Sequence, residues 1–214
     1  MSSKINLSNR IVVALAKGRL AEKTVELLEK SGIKCSSVLE PSRKLIFDIE
    51  DYKLSFMFVK PTDVPTYVEY GIADIGVCGK DTLLEEDKQV YELLDLKFGK
   101  CKLCIAGYPD TIVNNKATNL RVATKYSNTA KKIFNARNQN IEIIKLNGSI
   151  EIAPIMGLSD VIFDIVESGK TLKENDLVVL EEIYDVSARL ICNKVSLKTK
   201  ENILKIVNLI KENI

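Results

Sequence analysis

Residues 161–175, VIFDIVESGKTLKEN, join a β-favouring run to a Gly-Lys-Thr triplet that looks like the end of a Walker A phosphate loop. That loop needs a further glycine five positions before the triplet's glycine, so that its backbone N–H groups can wrap the phosphates. Position 164 is Asp164, an anion where anions would be cradled, and a Walker-type NTPase fails on that residue. What is left is a strand that stops at Gly169, with Ser168 and Thr171 beside it, a turn suited to one phosphate group. Asp160 and Asp164 precede it at even spacing, which in a strand puts both on one face. There they could accept hydrogen bonds from vicinal hydroxyls, so turn and carboxylates together fit a sugar phosphate. The plainer alternative is that Asp164 caps a turn. Glu151, in NGSIEIAP, falls at an expected helix start that Asn147 or Ser149 could cap, and its default reading is a structural first-turn acid.

The cations point the same way. Lysine outnumbers arginine 25 to 6, so an arginine is more apt to be present for its forked guanidinium. Arg19 follows an apolar run in LAKGRL, and Arg43 opens another in SRKL. With Lys17 they could face a polyanion, and Gly18 between the charges lets backbone N–H groups approach it closely. The alternative is a set of solvated charges at strand ends. The chain of 214 residues holds no histidine, which removes the usual base near neutral pH and every Ser-His or Cys-His nucleophile. Any chemistry must run on carboxylates, lysine, arginine, metal and positioning. Five cysteines, at 35, 78, 101, 104 and 192, form no zinc set without histidine or a second close pair. Their odd number suits reduced thiols in a cytoplasm.

A net charge of +2 argues against a nucleic-acid surface, and no apolar run approaches the roughly 18 residues of a membrane span. The start, MSSKINLSNR, carries no apolar signal segment, so a cytoplasmic location is expected.

The elements that must position these residues alternate. IVVALA reads as a buried strand, and AEKTVELLEKSG as a helix with Leu20, Thr24, Leu27 and Leu28 on one face and Gly32 as its stop. KLIFDIE and KLSFMFVK are strand-like, residues 61–70 a short helix, ADIGVCG a strand and KDTLLEED a helix. KCKLCIAGYP is a strand ending at Pro109, and the polar DTIVNNKATN is a linker or surface loop. A second set follows: strand LRVATK, helix SNTAKKIFNARN, strand IEIIKL, helix SIEIAPIMG and strand DVIFDIV. Residues 176–195 are largely extended, and a last helix puts Ile203, Leu204, Val207, Ile210 and Ile214 on one face. The class is α/β, with two parallel-sheet lobes, residues 1–104 plus 184–214 and residues 105–183. Ligands in such lobes bind beyond the carboxyl ends of strands, where KGRL and ESGKT both fall.

ALAKGRL, SRKLIFD, DVPTYVEYGIADIGVCGKDTLLEE, YELLDLKFGKCKL, RVATKY, IIKLNGSIEIAPIMGLSDVIFDIVESGKTLKEN and SARLICNK, in that order over residues 11–200, resemble the catalytic chain of ATP phosphoribosyltransferase. The resemblance implies two α/β lobes like those of type II periplasmic binding proteins, with the active site in the inter-lobe cleft. It implies the first step of histidine biosynthesis: ATP and phosphoribosyl pyrophosphate (PRPP) give N1-(5-phosphoribosyl)-ATP and pyrophosphate, with Mg²⁺. Asp164, Glu167, Ser168, Gly169, Lys170 and Thr171 would bind PRPP together with Asp160 and Glu151, and residues 105–183 would form the PRPP lobe. Arg19 and Arg43, with Lys17 beside them, would stabilise the departing pyrophosphate. The metal ligands are not assigned. One helix after ICNK suits the short form, a homodimer that joins a regulatory subunit related to histidyl-tRNA synthetase. The alternative is a cytoplasmic small-anion receptor or effector domain of the same fold.

Overall fold

A computed structural model describes residues 10–114 and 119–214. The expected linker over residues 110–119 falls partly outside them, and the N-terminal stretch MSSKINLSNR falls almost wholly outside. The chain opens with β1 (Ile11–Ala16), α1 (Arg19–Lys30) and a 3-10 turn at Ser36–Leu39, then β2 (Ile46–Ile49) and β3 (Leu54–Val59). Next come α2 (Val64–Glu69), β4 (Ile75–Gly79), α3 (Lys80–Glu86) and β5 (Tyr91–Asp95). The middle of the chain forms β6 (Cys101–Gly107), β7 (Leu120–Thr124), α4 (Ser127–Ala136), β8 (Ile141–Lys145) and α5 (Ile152–Ile155). It continues through β9 (Val161–Val166), α6 (Lys170–Glu174) and β10 (Val178–Val186), and β11 (Ala188–Cys192), α7 (Ser196–Thr199) and α8 (Asn202–Lys211) close the chain.

These elements make two units. One runs through Gly99 and resumes at Ser187–Ile214; the other is Lys100–Val186. The division falls before β6 and after β10, a few residues from the expected 104/105 and 183/184, because both strands belong whole to the second sheet. The first sheet has the order β2-β3-β1-β4-β11-β5 and the second β10-β6-β9-β7-β8. Each is mixed rather than parallel throughout. β3, β1 and β4 run parallel in the first and β9, β7 and β8 in the second, with antiparallel strands outside them.

β1 shows why continuous apolar runs make these strands. Ile11, Val13 and Leu15 pack on one face with α1 and α8, while Val12 and Ala14 pack on the other with α2. Burial on both faces leaves no place for alternation. Gly76 in β4 permits the second layer, since a Cβ there would stand 2.8 Å from Val64 Cγ1 and 2.9 Å from Val68 Cγ2 of α2. The buried Asp74 carboxylate accepts hydrogen bonds from Val12 N at 2.8 Å and Lys200 Nζ at 2.7 Å, tying β1 to the approach to α8. On α8 the buried face is Ile203, Ile206, Val207 and Ile210; Leu204 and Ile214, expected on that face, are exposed. Leu204 stands about 100° round the helix from Ile203, too far to share its stripe. Among the described residues no helix is long and apolar enough to cross a membrane.

In the second unit, Leu103, Ile105, Val122, Val161 and Phe163 pack with α4 on one face of the sheet. Ala106, Ala123 and Ile162 face the other way, toward Ile150, Ala153 and Leu172. Asp164 continues the Ile162 side of β9 by the two-residue period.

Candidate functional site

β9 ends at Val166, and the chain turns through Glu167 and Ser168 to Gly169, whose φ of 68° and ψ of 6° are left-handed. That reversal starts α6 at Lys170. Lys170 N donates to Ser168 Oγ at 3.4 Å and Lys173 N to Gly169 O at 3.0 Å, which fixes the turn. A pocket of about 250 Å³ opens here, walled by Glu151, Ile162 and residues 164–172. The structure therefore brings Glu151, Asp164, Glu167, Ser168, Gly169, Lys170 and Thr171 to one place. Asp164 is largely buried, and its Oδ1 accepts Ile165 N at 2.8 Å. Glu151 reaches the pocket from the start of α5, with no side-chain cap formed at that helix end. Lys170 is exposed, its Nζ 3.8 Å from Glu174.

Asp160 is not brought there. It precedes β9, about 13 Å along the chain from Asp164 at the rise of a strand, at the amino ends of the parallel β7–β9 pair. Its carboxylate accepts Arg121 N at 2.8 Å and Arg121 Nη2 at 2.7 Å. Those bonds, chiefly the one from the guanidinium, hold the Asp160 carboxyl below its ordinary value against the opposing effect of burial. The pair ties β9 to β7 at the end remote from the pocket.

In the first unit, β1 ends at Ala16 and α1 begins at Arg19, with Gly18 between them at φ 103°. A Cβ on Gly18 would meet nothing within 4 Å, so the glycine answers to backbone conformation alone. A cavity of about 430 Å³ has Lys17, Gly18, Ser42, Phe47 and Phe58 among its lining residues. The two rings meet edge to face at 5.6 Å, and Lys17 Nζ lies 6.0 Å from the Phe58 ring centre. Arg19 and Arg43 are exposed, and each directly follows a lining residue of this one cavity. Of the three expected cations, Lys17 lines this cavity; Arg19 and Arg43 are not among its lining residues.

Among the described residues no three His, Cys, Asp or Glu side chains form a metal cluster. Glu151 and Asp164 are hard oxygen donors in one pocket. Donors of this kind suit a hard divalent cation. None of the five cysteines is in a disulfide. Burial pushes Cys35 and Cys192 up to about 12, which removes them as nucleophiles.

One residue beside the pocket, Lys125, is not among the expected site residues, although it falls within the expected strand LRVATK. Its Nζ is 3.8 Å from Asp164 Oδ1.

The family model of HisG, ATP phosphoribosyltransferase, matches residues 60–212. A protein of Lachnoclostridium phytofermentans named ATP phosphoribosyltransferase is 58% identical over 206 residues, 94% of this chain and 96% of its own. One of Caldanaerobacter subterraneus subsp. tengcongensis with the same name is 55% identical over 195 residues, 91% and 92% of the two chains. Among solved structures, the ATP phosphoribosyl transferase (HisG:HisZ) complex from Thermotoga maritima superposes with a TM-score of 0.81 at 35% identity. It covers 94% of this chain and 97% of that one. The periplasmic VFT2 domain of Bordetella pertussis BvgS, at 11% identity and a TM-score of 0.59 over 96% and 88% of the chains, shares the fold alone.

Proposed function

The chain belongs to the ATP phosphoribosyltransferase family, and from that premise we propose how its residues divide the work of the reaction. The reaction moves the 5-phosphoribosyl group of PRPP onto N1 of ATP, releases pyrophosphate, and opens histidine biosynthesis. The observation that carries the division is the convergence of Glu151, Asp164 and the turn at Gly169 on one pocket.

In this reading the Asp164 carboxylate accepts hydrogen bonds from the ribose hydroxyls. Backbone N–H groups of Ser168, Gly169, Lys170 and Thr171 hold the 5-phosphate, with the Ser168 and Thr171 hydroxyls beside them. Glu167 and Glu151 flank the pentose. Adenine N1 already carries its lone pair, so a chain without histidine lacks nothing for the attack. The demanding event is departure of pyrophosphate from C1 as the ribose gains oxocarbenium character. Arg19 and Arg43, with Lys17 beside them, are the cationic donors assigned to meet the growing charge. The family uses a divalent metal. We take it as Mg²⁺, which when bound neutralises pyrophosphate charge.

The Thermotoga maritima neighbour is a HisG:HisZ complex, and it supports the same plan here. This chain forms a homodimer that joins a HisZ-like regulatory subunit, related to histidyl-tRNA synthetase, and that subunit carries the histidine site. The test mixes the purified chain with ATP, PRPP and Mg²⁺, with and without the regulatory subunit, and follows N1-(5-phosphoribosyl)-ATP. Adduct formation, inhibited by histidine only in the complex, is expected. No adduct in either mixture overturns the catalytic reading, and strong histidine inhibition of the isolated chain overturns the division of labour.

A further inference from the structure

The phosphate pocket carries an electrostatic imbalance. Its lining residues include three carboxylates, Glu151, Asp164 and Glu167, against the single ammonium of Lys170. PRPP brings a phosphate and a pyrophosphate to this place, so unrelieved carboxylate charge opposes its binding.

A second ammonium lies close by, that of Lys125, whose Nζ is 3.8 Å from Asp164 Oδ1. The β7–β9 register pairs Val122 with Val161 and Ala123 with Ile162, and β7 ends at Thr124, so Lys125 stands at the bend just past the strand end, where its Nζ approaches Asp164. The strand end beneath it is fixed. Thr124 Oγ1 donates to Phe163 O at 2.6 Å and accepts Tyr126 N at 2.8 Å. The Tyr126 ring, buried and edge-on to Phe163 at 6.4 Å, lies 4.8 Å from Lys125 Nζ. At 3.8 Å from Asp164 Oδ1 the ammonium is too far for a direct hydrogen bond, so it acts on the carboxylate through its charge. Side-chain exposures of 37% for Lys125 and 18% for Asp164 leave that charge only partly screened. Lys125 is not one of the residues that wall the pocket.

We propose that Lys125 is a positioning residue for PRPP: it offsets the charge of Asp164 and fixes its orientation, so that the carboxylate takes the ribose hydroxyls without repelling the phosphates. This rests on the reading that Asp164 faces the PRPP ribose.

The experiment compares Lys125→Met, Lys125→Arg and Asp164→Asn. Calorimetric titration with PRPP and with ATP, each with Mg²⁺, is paired with initial rates. Lys125→Met is expected to raise Kd and KM for PRPP about fivefold, as for a partly exposed ion pair. KM for ATP and kcat stay within about twofold. Lys125→Arg restores most of the PRPP affinity. A purely structural role would lower kcat through loss of active protein and leave both KM values unchanged, which overturns the inference. If Asp164→Asn weakens PRPP while Lys125→Met leaves it unchanged, the Lys125 inference alone fails. If Asp164→Asn leaves PRPP binding unchanged, the reading of Asp164 fails and takes the inference with it.

Discussion

Gly169→Ala isolates the left-handed turn from everything else in the pocket proposed for PRPP. An added Cβ would have Val166 Cγ1 as its nearest neighbour at 3.8 Å, an ordinary contact, so steric clash contributes nothing. The penalty comes from the backbone, because an L-residue at φ 68° costs about 1–2 kcal/mol. It can surface in two ways. If the turn keeps its shape, the strain lowers stability, and Tm falls by roughly 2–4 °C per kcal/mol in a chain of this size. If the turn relaxes, the amides leave the phosphate, and PRPP affinity falls by about five- to thirtyfold at 1.4 kcal/mol per tenfold. Thermal unfolding and PRPP titration on one preparation read both, and the two losses together account for the strain. Gly169→Asn is milder on both axes, since asparagine visits this region more readily. ATP affinity stays put in either variant. A Gly169→Ala protein that keeps both its Tm and its PRPP affinity would falsify the view that this backbone reversal presents the phosphate donors.

Arg19→Ala and Arg43→Ala are expected to lower kcat about a hundredfold or more, by analogy with a lost oxyanion donor. Lysine recovers only part, because it lacks the planar fork; a kcat within a few-fold of the parent, with chemistry rate-limiting, removes either residue from the mechanism. Asp160→Asn is expected to cost about 1 kcal/mol of stability at neutral pH and to leave PRPP affinity unchanged. Because Arg121 holds the folded Asp160 pKa down, the stabilisation is present above the unfolded carboxylate value of about 3.9 and is lost as pH falls through the lower folded value. Urea unfolding between neutral and acid pH should show a flatter acid limb in the variant, and a loss of PRPP binding instead would return Asp160 to the site. A thiol reagent at mildly alkaline pH should react fast with at most Cys101 in the native chain, since burial raises Cys35, Cys78, Cys104 and Cys192. Rapid labelling of two or more thiols before unfolding contradicts that burial.

The turn at Gly169 is legible in the sequence because its information is local: a strand, a glycine and small hydroxyl residues fall within one short segment. Glu151 was visible as an acid at a helix start, yet nothing near it in sequence says which pocket it enters. Asp160 shows the limit of the two-residue period. Even spacing reports a shared face, but four residues of strand separate its ends by about 13 Å, and its partner Arg121 lies 39 positions away. Lys125 is silent for the same reason, since it meets Asp164 only through folding, from 39 positions away in the sequence. β5 has a weak signal because it is an edge strand, half exposed and paired with β11 alone. On α8 the choice of Leu204 over Ile206 was an error of angle.

The interruption of the first unit by Lys100–Val186 sets an order of events during synthesis. The middle segment holds every strand of its own sheet, and its two ends meet as neighbours where Cys101 pairs with Val186. It can close as soon as it leaves the ribosome. The opening segment cannot. Asp95 waits for Ser187, 92 positions later, and Asp74 for Lys200, 126 positions later. Until β11 arrives, β4 keeps one edge bare and β5 has no partner in the sheet. At about 5–20 residues per second, that wait lasts seconds, long enough for an unpaired strand edge to recruit another chain. The nascent protein finishes its middle before its beginning, and its period of greatest exposure to chaperones ends only when the last strand of the first sheet is delivered.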